Sequence, residues 1–209
     1  MCKKRIAVSN RELYQSSHGR KDLQSYAEFL AGLAAGDRSC LGRNEKPDIL
    51  IVREKQLSEA EYLRLFRALW QRSREMEGKQ AVIIPHTYAA VAEQVGCGFV
   101  HLPLPMFREY KEDGRLLGLQ AGVSVHSVEE AEAAQALGAA YVTAGHIFAT
   151  DCKKGVEPRG IGFLNAACAA VSIPVYAIGG IHAGNLPLIW ESRAAGACMM
   201  SEYMCGQIG

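Results

Sequence analysis

The 209-residue chain has no apolar run near the roughly 18 residues that cross a bilayer, so no membrane span is expected. Its opening, Met1-Cys2-Lys3-Lys4-Arg5-Ile6, is basic but lacks an apolar stretch, because Ser9, Asn10 and Arg11 follow at once. No secretory signal is expected there. Net charge is almost absent: 23 basic and 22 acidic side chains give +1. No global field then draws the chain to nucleic acid, and an anion site must come from local clustering. Seven cysteines, at 2, 40, 97, 152, 168, 198 and 205, are odd in number, scattered and without a C-x-x-C pair. That argues against a disulfide frame and for reduced thiols in a cytoplasm, most of them small buried apolar groups. Also missing is a G-x-G-x-x-G after the first strand, the glycine pattern of an open dinucleotide-binding sheet.

What the chain does have is alternation. Strands are predicted at Ile6–Ser9, Asp48–Lys55, Ala81–Ile84, Phe99–Leu102, Leu119–His126, Tyr141–Phe148, Pro174–Ile181 and Cys198–Ser201. Between them, Asp22 caps a helix that ends at Gly36, and Ser58 with Glu61 makes a capping box. Tyr62, Leu65, Phe66, Leu69 and Trp70 follow that box at helical spacing. Further helices are predicted up to Val95, from Ser127 to Gly138, over Gly162–Val171 and over Asn185–Ala195. Asn10–Lys21 and Gly36–Pro47 read as connections. Pro103-Leu104-Pro105 argues against a helix start before Met106, and Met106–Gly118 is mixed.

A strand–helix repeat of roughly 25 residues argues a parallel sheet, and eight repeats suit one small (β/α)8 TIM barrel over residues 1–209. The competing open doubly wound sheet lacks its glycine pattern. The chain stops just past the eighth strand, so the last helix is expected to be missing or a stub. The apolar seam this leaves suits a second copy, a homodimer.

In such a fold, strand ends gather at one rim, where sites are built. Arg53 and Lys55 end the second strand as a basic pair suited to an anion, or else pair with Glu54 and solvent. On the fifth strand, Val123 and Val125 suit the helix-facing side, which leaves Ser124 and His126 for the interior. Imidazole as a group suits a proton shuttle near neutral pH, so His126 is a candidate for that role, or else is a rim histidine bonded to backbone. His86, His101, His146 and His182 also lie near strand ends, but none has a partner at ligand spacing, so no metal is expected. Thr150 and Lys153-Lys154 form a basic loop over the rim, where a Cys152 thiolate is conceivable. Gly179-Gly180 at the seventh strand, with Ser201 ending the eighth, fits a phosphate cup.

Four stretches carry a resemblance: Ile51-Val-Arg53-Glu-Lys55, Gly122-Val-Ser-Val-His126-Ser127, Gly145-His-Ile-Phe-Ala-Thr150-Asp-Cys-Lys-Lys-Gly155 and Ala177-Ile-Gly-Gly-Ile181. Together they resemble the thiamine phosphate synthase superfamily over nearly the whole chain, and the third is similar to its thiazole tautomerase branch. The resemblance implies a barrel that aromatises a thiazole carboxylate phosphate in thiamine biosynthesis without a cofactor. His126 would then shuttle the proton, Gly180 with Ser201 would hold the phosphate, and Gly179 and Met200 would be further substrate contacts. Arg53, Lys55 and Ser124 would meet the anionic groups, with Thr150 and Lys153 closing the site. The synthase branch carries Asn-Asp after strand three and an acid after strand four, which hold Mg²⁺ on a pyrophosphate. Here those places read Pro85-His86 and Leu102-Pro-Leu-Pro-Met106, so the isomerase is the expected activity. A synthase and a non-catalytic thiazole phosphate-binding protein are the alternatives.

Overall fold

The computed structural model describes residues 2–150, 153 and 155–205. Eight parallel strands alternate with helices, the (β/α)8 class expected from the sequence. The chain forms two compact units, Met1–Lys4 with Gly98–Met199 and Arg5–Cys97 with Met200–Gly209.

In the unit built on residues 5–97, the strands are β1 (Lys4–Val8), β2 (Ile49–Val52) and β3 (Val82–Pro85). β2 pairs in parallel with both others, Ile51 aligning with Val8 and Ile84. The helices are α1 (Arg11–His18), α2 (Leu23–Ala35), α3 (Arg38–Leu41), α4 (Glu59–Glu75) and α5 (Ala89–Val95). α2 and α4 form where their caps predict them. Asp22 accepts the Ser25 N–H, Gly36 closes α2 in the left-handed region, and both halves of the Ser58–Glu61 capping box are made. α2 buries Tyr26, Leu30 and Leu33, and α4 buries Tyr62, Leu65, Phe66 and Leu69. Each such side chain contributes about 2 kcal/mol when fully withdrawn from water. That burial, more than propensity, holds the two helices in place.

Two supposed connections in this unit contain helix. Asn10–Lys21, read as a loop, holds α1: the Asn10 side chain accepts the Leu13 N–H at 3.1 Å, and Gly19 turns left-handed to end it. Only Tyr14 of its eight residues is buried, packing on Tyr26 and Phe29, so no apolar period betrays the helix. Asn10→Ala should lower stability by about 1 kcal/mol, the usual worth of such a cap, read from the urea midpoint. An unchanged midpoint would mean that packing alone carries α1. α3, capped by Asp37, is the second, inside Gly36–Pro47.

The unit built on residues 98–199 holds β4 (Phe99–Pro103), β5 (Gln120–Val125), β6 (Tyr141–Gly145), β7 (Val175–Ile178) and β8 (Gly196–Met199), neighbours in that order. Val100, Leu102, Val123, Val125, Val142 and Ala144 are fully buried, which is why these apolar runs persist as strands. Its helices are α6 (Leu104–Glu112), α7 (Val128–Ala136), α8 (Gly160–Ala170) and α9 (Leu186–Glu191). α6 begins two residues before Met106. Pro105 falls in its first turn, where the absent N–H has no intrahelical partner to lose, so the proline does not block the start. β6 and β7 stop three residues short of their predicted ends, and β8 ends at Met199. Among the described residues, β8 is followed by a four-residue helix, α10 (Ser201–Met204), so Ser201 opens a helix instead of ending a strand. The Tyr203 hydroxyl donates to Glu45 O at 3.0 Å, fixing this stub within the 5–97 unit.

Candidate functional site

His126 lies just beyond β5, exposed, and its backbone N–H donates to a Glu130 carboxylate oxygen at 2.6 Å. Ser127 accepts the Glu130 N–H and so caps α7. Glu130 thus reaches one residue further back than a reciprocal capping box requires. The His126 Nδ1 sits 2.8 Å from Gly145 O. A carbonyl only accepts, so Nδ1 carries the hydrogen in the neutral ring and Nε2 is left as the basic nitrogen. Gly145 O also accepts from Arg159 Nε at 3.2 Å, which sets a cation beside the imidazole. Arg159 was not singled out in the sequence; its one signal was its place in the Pro158-Arg159-Gly160 turn.

Two rows of side chains lie on one face of the sheet below this rim. Register places His101, Gly122 and Tyr141 side by side on β4, β5 and β6, and Ser124, Thr143 and Tyr176 two residues further along β5, β6 and β7. His101, 2% exposed, bonds Tyr141 Oη at 3.0 Å through Nδ1 and Ser124 Oγ at 2.9 Å through Nε2. Thr143 Oγ1 donates to Ser124 Oγ at 3.3 Å. Burial lifts the Tyr141 phenol well above its usual range, so it stays protonated. His101, read as a rim residue, is instead buried within β4 with both ring nitrogens engaged. Ser124 is where alternation put it, half-exposed at the end of this network.

After β7, Gly179 and Gly180 are both left-handed, with φ of 99° and 66°. A Cβ on Gly179 would overlap that of His146, and one on Gly180 would overlap the carbonyl oxygens of Phe148 and Ala149. Only glycine fits this close approach. Gly179 O accepts the Phe148 N–H at 3.0 Å, and Gly180 O accepts from Asn185 Nδ2 at 2.8 Å. Among the described residues, the N–H groups of both glycines have no acceptor, as an anion-binding loop requires. Thr150 O accepts the Lys153 N–H at 3.0 Å, and Lys153 is exposed. Lys154 and Cys152, the conceivable thiolate, lie outside the described residues.

The remaining predicted residues belong to the 5–97 unit. The strand alternation that aligned Arg53 with Lys55 ends at Val52: Arg53 is half-buried just past it, and Lys55 is exposed in a turn. The Arg53 N–H donates to Ser9 Oγ at 2.8 Å. Glu54, the suggested partner of these cations, turns inward and accepts from Ser9 Oγ at 2.5 Å, Tyr26 Oη at 2.6 Å and Arg11 N at 3.0 Å. Met200 Sδ accepts from Asn10 Nδ2 at 3.4 Å, and Ser201 is exposed.

Each of the four other strand-end histidines has a local partner: Thr87 Oγ1 for His86, Tyr141 and Ser124 for His101, Val156 O for His146 and the Gly184 N–H for His182. Among the described residues, no three His, Cys, Asp or Glu side chains converge as a metal site. The two places that hold Mg²⁺ in the synthase pattern carry His86 beside Thr87 and the apolar first turn of α6. Mg²⁺ prefers oxygen ligands to imidazole, so neither place, taken by itself, offers the donors it needs. No described helix is long and apolar enough to cross a membrane.

The family description "Thiamine monophosphate synthase" matches residues 23–203. A putative thiamine-phosphate synthase of Geobacter sulfurreducens is 34% identical over 89% of this chain and 81% of its own. A thiamine-phosphate synthase of Lacticaseibacillus paracasei is 32% identical over 92% and 86%. Among solved structures, thiamine phosphate pyrophosphorylase from Pyrococcus furiosus superposes with a TM-score of 0.73, at 26% identity over 98% of this chain and 88% of that one. A 3-hexulose-6-phosphate synthase, at 18% identity and a TM-score of 0.59, shares the TIM-barrel-like fold alone. These relatives overturn the isomerase expected from the sequence. The two sequence relatives are named as thiamine-phosphate synthases, and that likeness along nearly the whole chain outweighs the single Gly145–Gly155 stretch and the missing carboxylates on which the tautomerase expectation rested. Both the match over residues 23–203 and the two near-full-length relatives place the chain in the thiamine monophosphate synthase family.

Proposed function

We propose that this chain is a thiamine-phosphate synthase, a transferase that joins a pyrimidine pyrophosphate to a thiazole phosphate. The new carbon–nitrogen bond forms as the pyrimidine's carbon–oxygen bond breaks, and pyrophosphate leaves with the electron pair. The observation that carries this reading is the likeness to synthases along nearly the whole chain. The geometry supports it with the left-handed Gly179-Gly180 pair, whose N–H groups have no acceptor among the described residues and are proposed to meet an oxyanion, and the Ser124 hydroxyl on β5 is proposed as a further donor. Lys153 adds charge from the loop above β6, and Arg53 and Lys55 are proposed anion ligands of their own unit. Holding a polyphosphate leaving group and a second substrate in one orientation is the main service such a site performs. Mg²⁺ does not fit the two positions above, so these donors carry the anionic charge.

The deciding experiment incubates the purified chain with both substrates, with and without Mg²⁺, and separates the products by chromatography. Thiamine phosphate should form. Its absence under both conditions, with thiazole phosphate still bound, would favour a non-catalytic binding protein and sink the proposal. Gly180→Ala should cut turnover at least 10-fold, because its new Cβ displaces the Phe148–Ala149 carbonyls and with them the glycine pair.

A further inference from the structure

We propose that Tyr141, His101 and Thr143 form a one-way hydrogen-bond chain that forces Ser124 to donate its proton to an anionic ligand oxygen. A serine hydroxyl is ordinarily ambivalent, able to give one hydrogen bond and accept two. Here its surroundings remove the choice. The Tyr141 phenol is buried, and among the described residues the partner of its hydroxyl is His101 Nδ1, at 3.0 Å. A buried O–H that fails to donate is left desolvated without compensation, so the phenol gives its hydrogen to Nδ1. That fixes the neutral ring in its Nε2–H form, and Nε2 donates to Ser124 Oγ at 2.9 Å. Thr143 donates to the same oxygen at 3.3 Å. Both acceptor positions of Ser124 are then filled from below, and its own hydrogen is left for whatever lies on its exposed side. The opposite tautomer would reverse both bonds of the imidazole, drawing the Ser124 hydrogen to Nε2 and leaving a lone pair toward the ligand, which would repel a phosphate.

The arrangement depends on Gly122. It stands between His101 and Tyr141 in the row, and a Cβ there would overlap the Tyr141 ring and hydroxyl. With no side chain in the middle position, the outer two meet across it. The device presents a donor, so it suits an acceptor such as an oxyanion and not an ammonium group, which has no lone pair to offer. His101 and Tyr141 act through Ser124 and are positioning residues.

This inference rests on the phosphate-ligand reading of the site, and its test does not require turnover. Nitrogen-15 NMR of the full chain, labelled at histidine, reads the His101 tautomer directly, and titration with inorganic pyrophosphate and with inorganic phosphate reads the donor. The wild type should show the Nε2–H form. Ser124→Ala should weaken anion binding about 10-fold, the worth of one charge-assisted donor. Tyr141→Phe keeps the ring packing but frees Nδ1. It should mix the tautomers and weaken binding several-fold, while Tyr141→Phe with Ser124→Ala should bind no worse than Ser124→Ala alone. An Nδ1–H or doubly protonated His101 in the wild type overturns the inference. So does additive loss in the double variant, or a wild type with no measurable affinity for either anion. Intact tautomer and anion affinity without thiamine phosphate formation would overturn the synthase reading and leave this one standing.

Discussion

Glu54→Ala should lower stability by about 3 kcal/mol, because it strands two buried hydroxyls and the Arg11 N–H that now share one carboxylate. Glu54→Gln keeps the volume and one acceptor oxygen and should cost clearly less. The pair separates lost packing from lost acceptors in urea titrations. pH dependence gives a sharper signature. Burial pushes the Glu54 carboxyl above its ordinary range, against the opposing pull of its bonds from Ser9, Tyr26 and Arg11. A carboxyl that holds its proton more tightly when folded adds stability that is complete below the unfolded value, about 4.3. That contribution is lost as pH rises through the raised folded value. The stability of wild type relative to Glu54→Gln should therefore fall over that window and stay level above it. A difference that grows with pH instead would mean the hydrogen bonds outweigh desolvation. Since Ser9 also accepts the Arg53 N–H, loosening this cluster should loosen Arg53 too.

The other large effect belongs to Tyr62. Its side chain is fully buried, its ring centroid lies 4.8 Å from that of Tyr88, and its hydroxyl donates to Val52 O at 2.6 Å while accepting the His86 N–H at 2.9 Å. Tyr62→Ala should cost about 4 kcal/mol, the usual range for emptying an aromatic-sized space in a core. Tyr62→Phe should cost about 1 kcal/mol, since the His86 N–H retains a direct bond to Val52 O at 3.1 Å. Urea unfolding at constant slope measures both. Equal losses would assign the stability to the hydroxyl and contradict the packing argument.

Much of the fold was legible because its signals are local. Asp22, Gly36 and the Ser58–Glu61 box announce helix ends through bonds made within four residues, and the strand cores are apolar runs that survive any choice of neighbours. Strand ends extend too far in the sequence reading because rim residues such as Ile147 and Phe148 keep an apolar, β-prone look after the ladder has stopped. α1 was missed because one buried tyrosine makes no period, and α6 because proline was taken as a barrier where the first turn tolerates it. For the site, the glycine pair after β7 and Ser124 could be read from pattern and alternation. His101 and Tyr141 could not be joined, since 40 residues separate them and only the register of three strands brings them together. The one available hint was Gly122, a glycine inside a strand, which often marks a close approach. The choice of reaction failed for a different reason. Residues that hold phosphate serve many reactions in one fold, so they report the ligand's charge and not the bond being made.

The grip of Glu130 on the His126 amide has a dynamic consequence. The same side chain belongs to the opening turn of α7, whose first N–H groups depend on Ser127 beside it. Unwinding that turn withdraws the carboxylate, and swinging the histidine segment away pulls on the turn. Helix fraying and displacement of residue 126 thus become a single local opening event, with one shared hydrogen-exchange free energy instead of two independent ones.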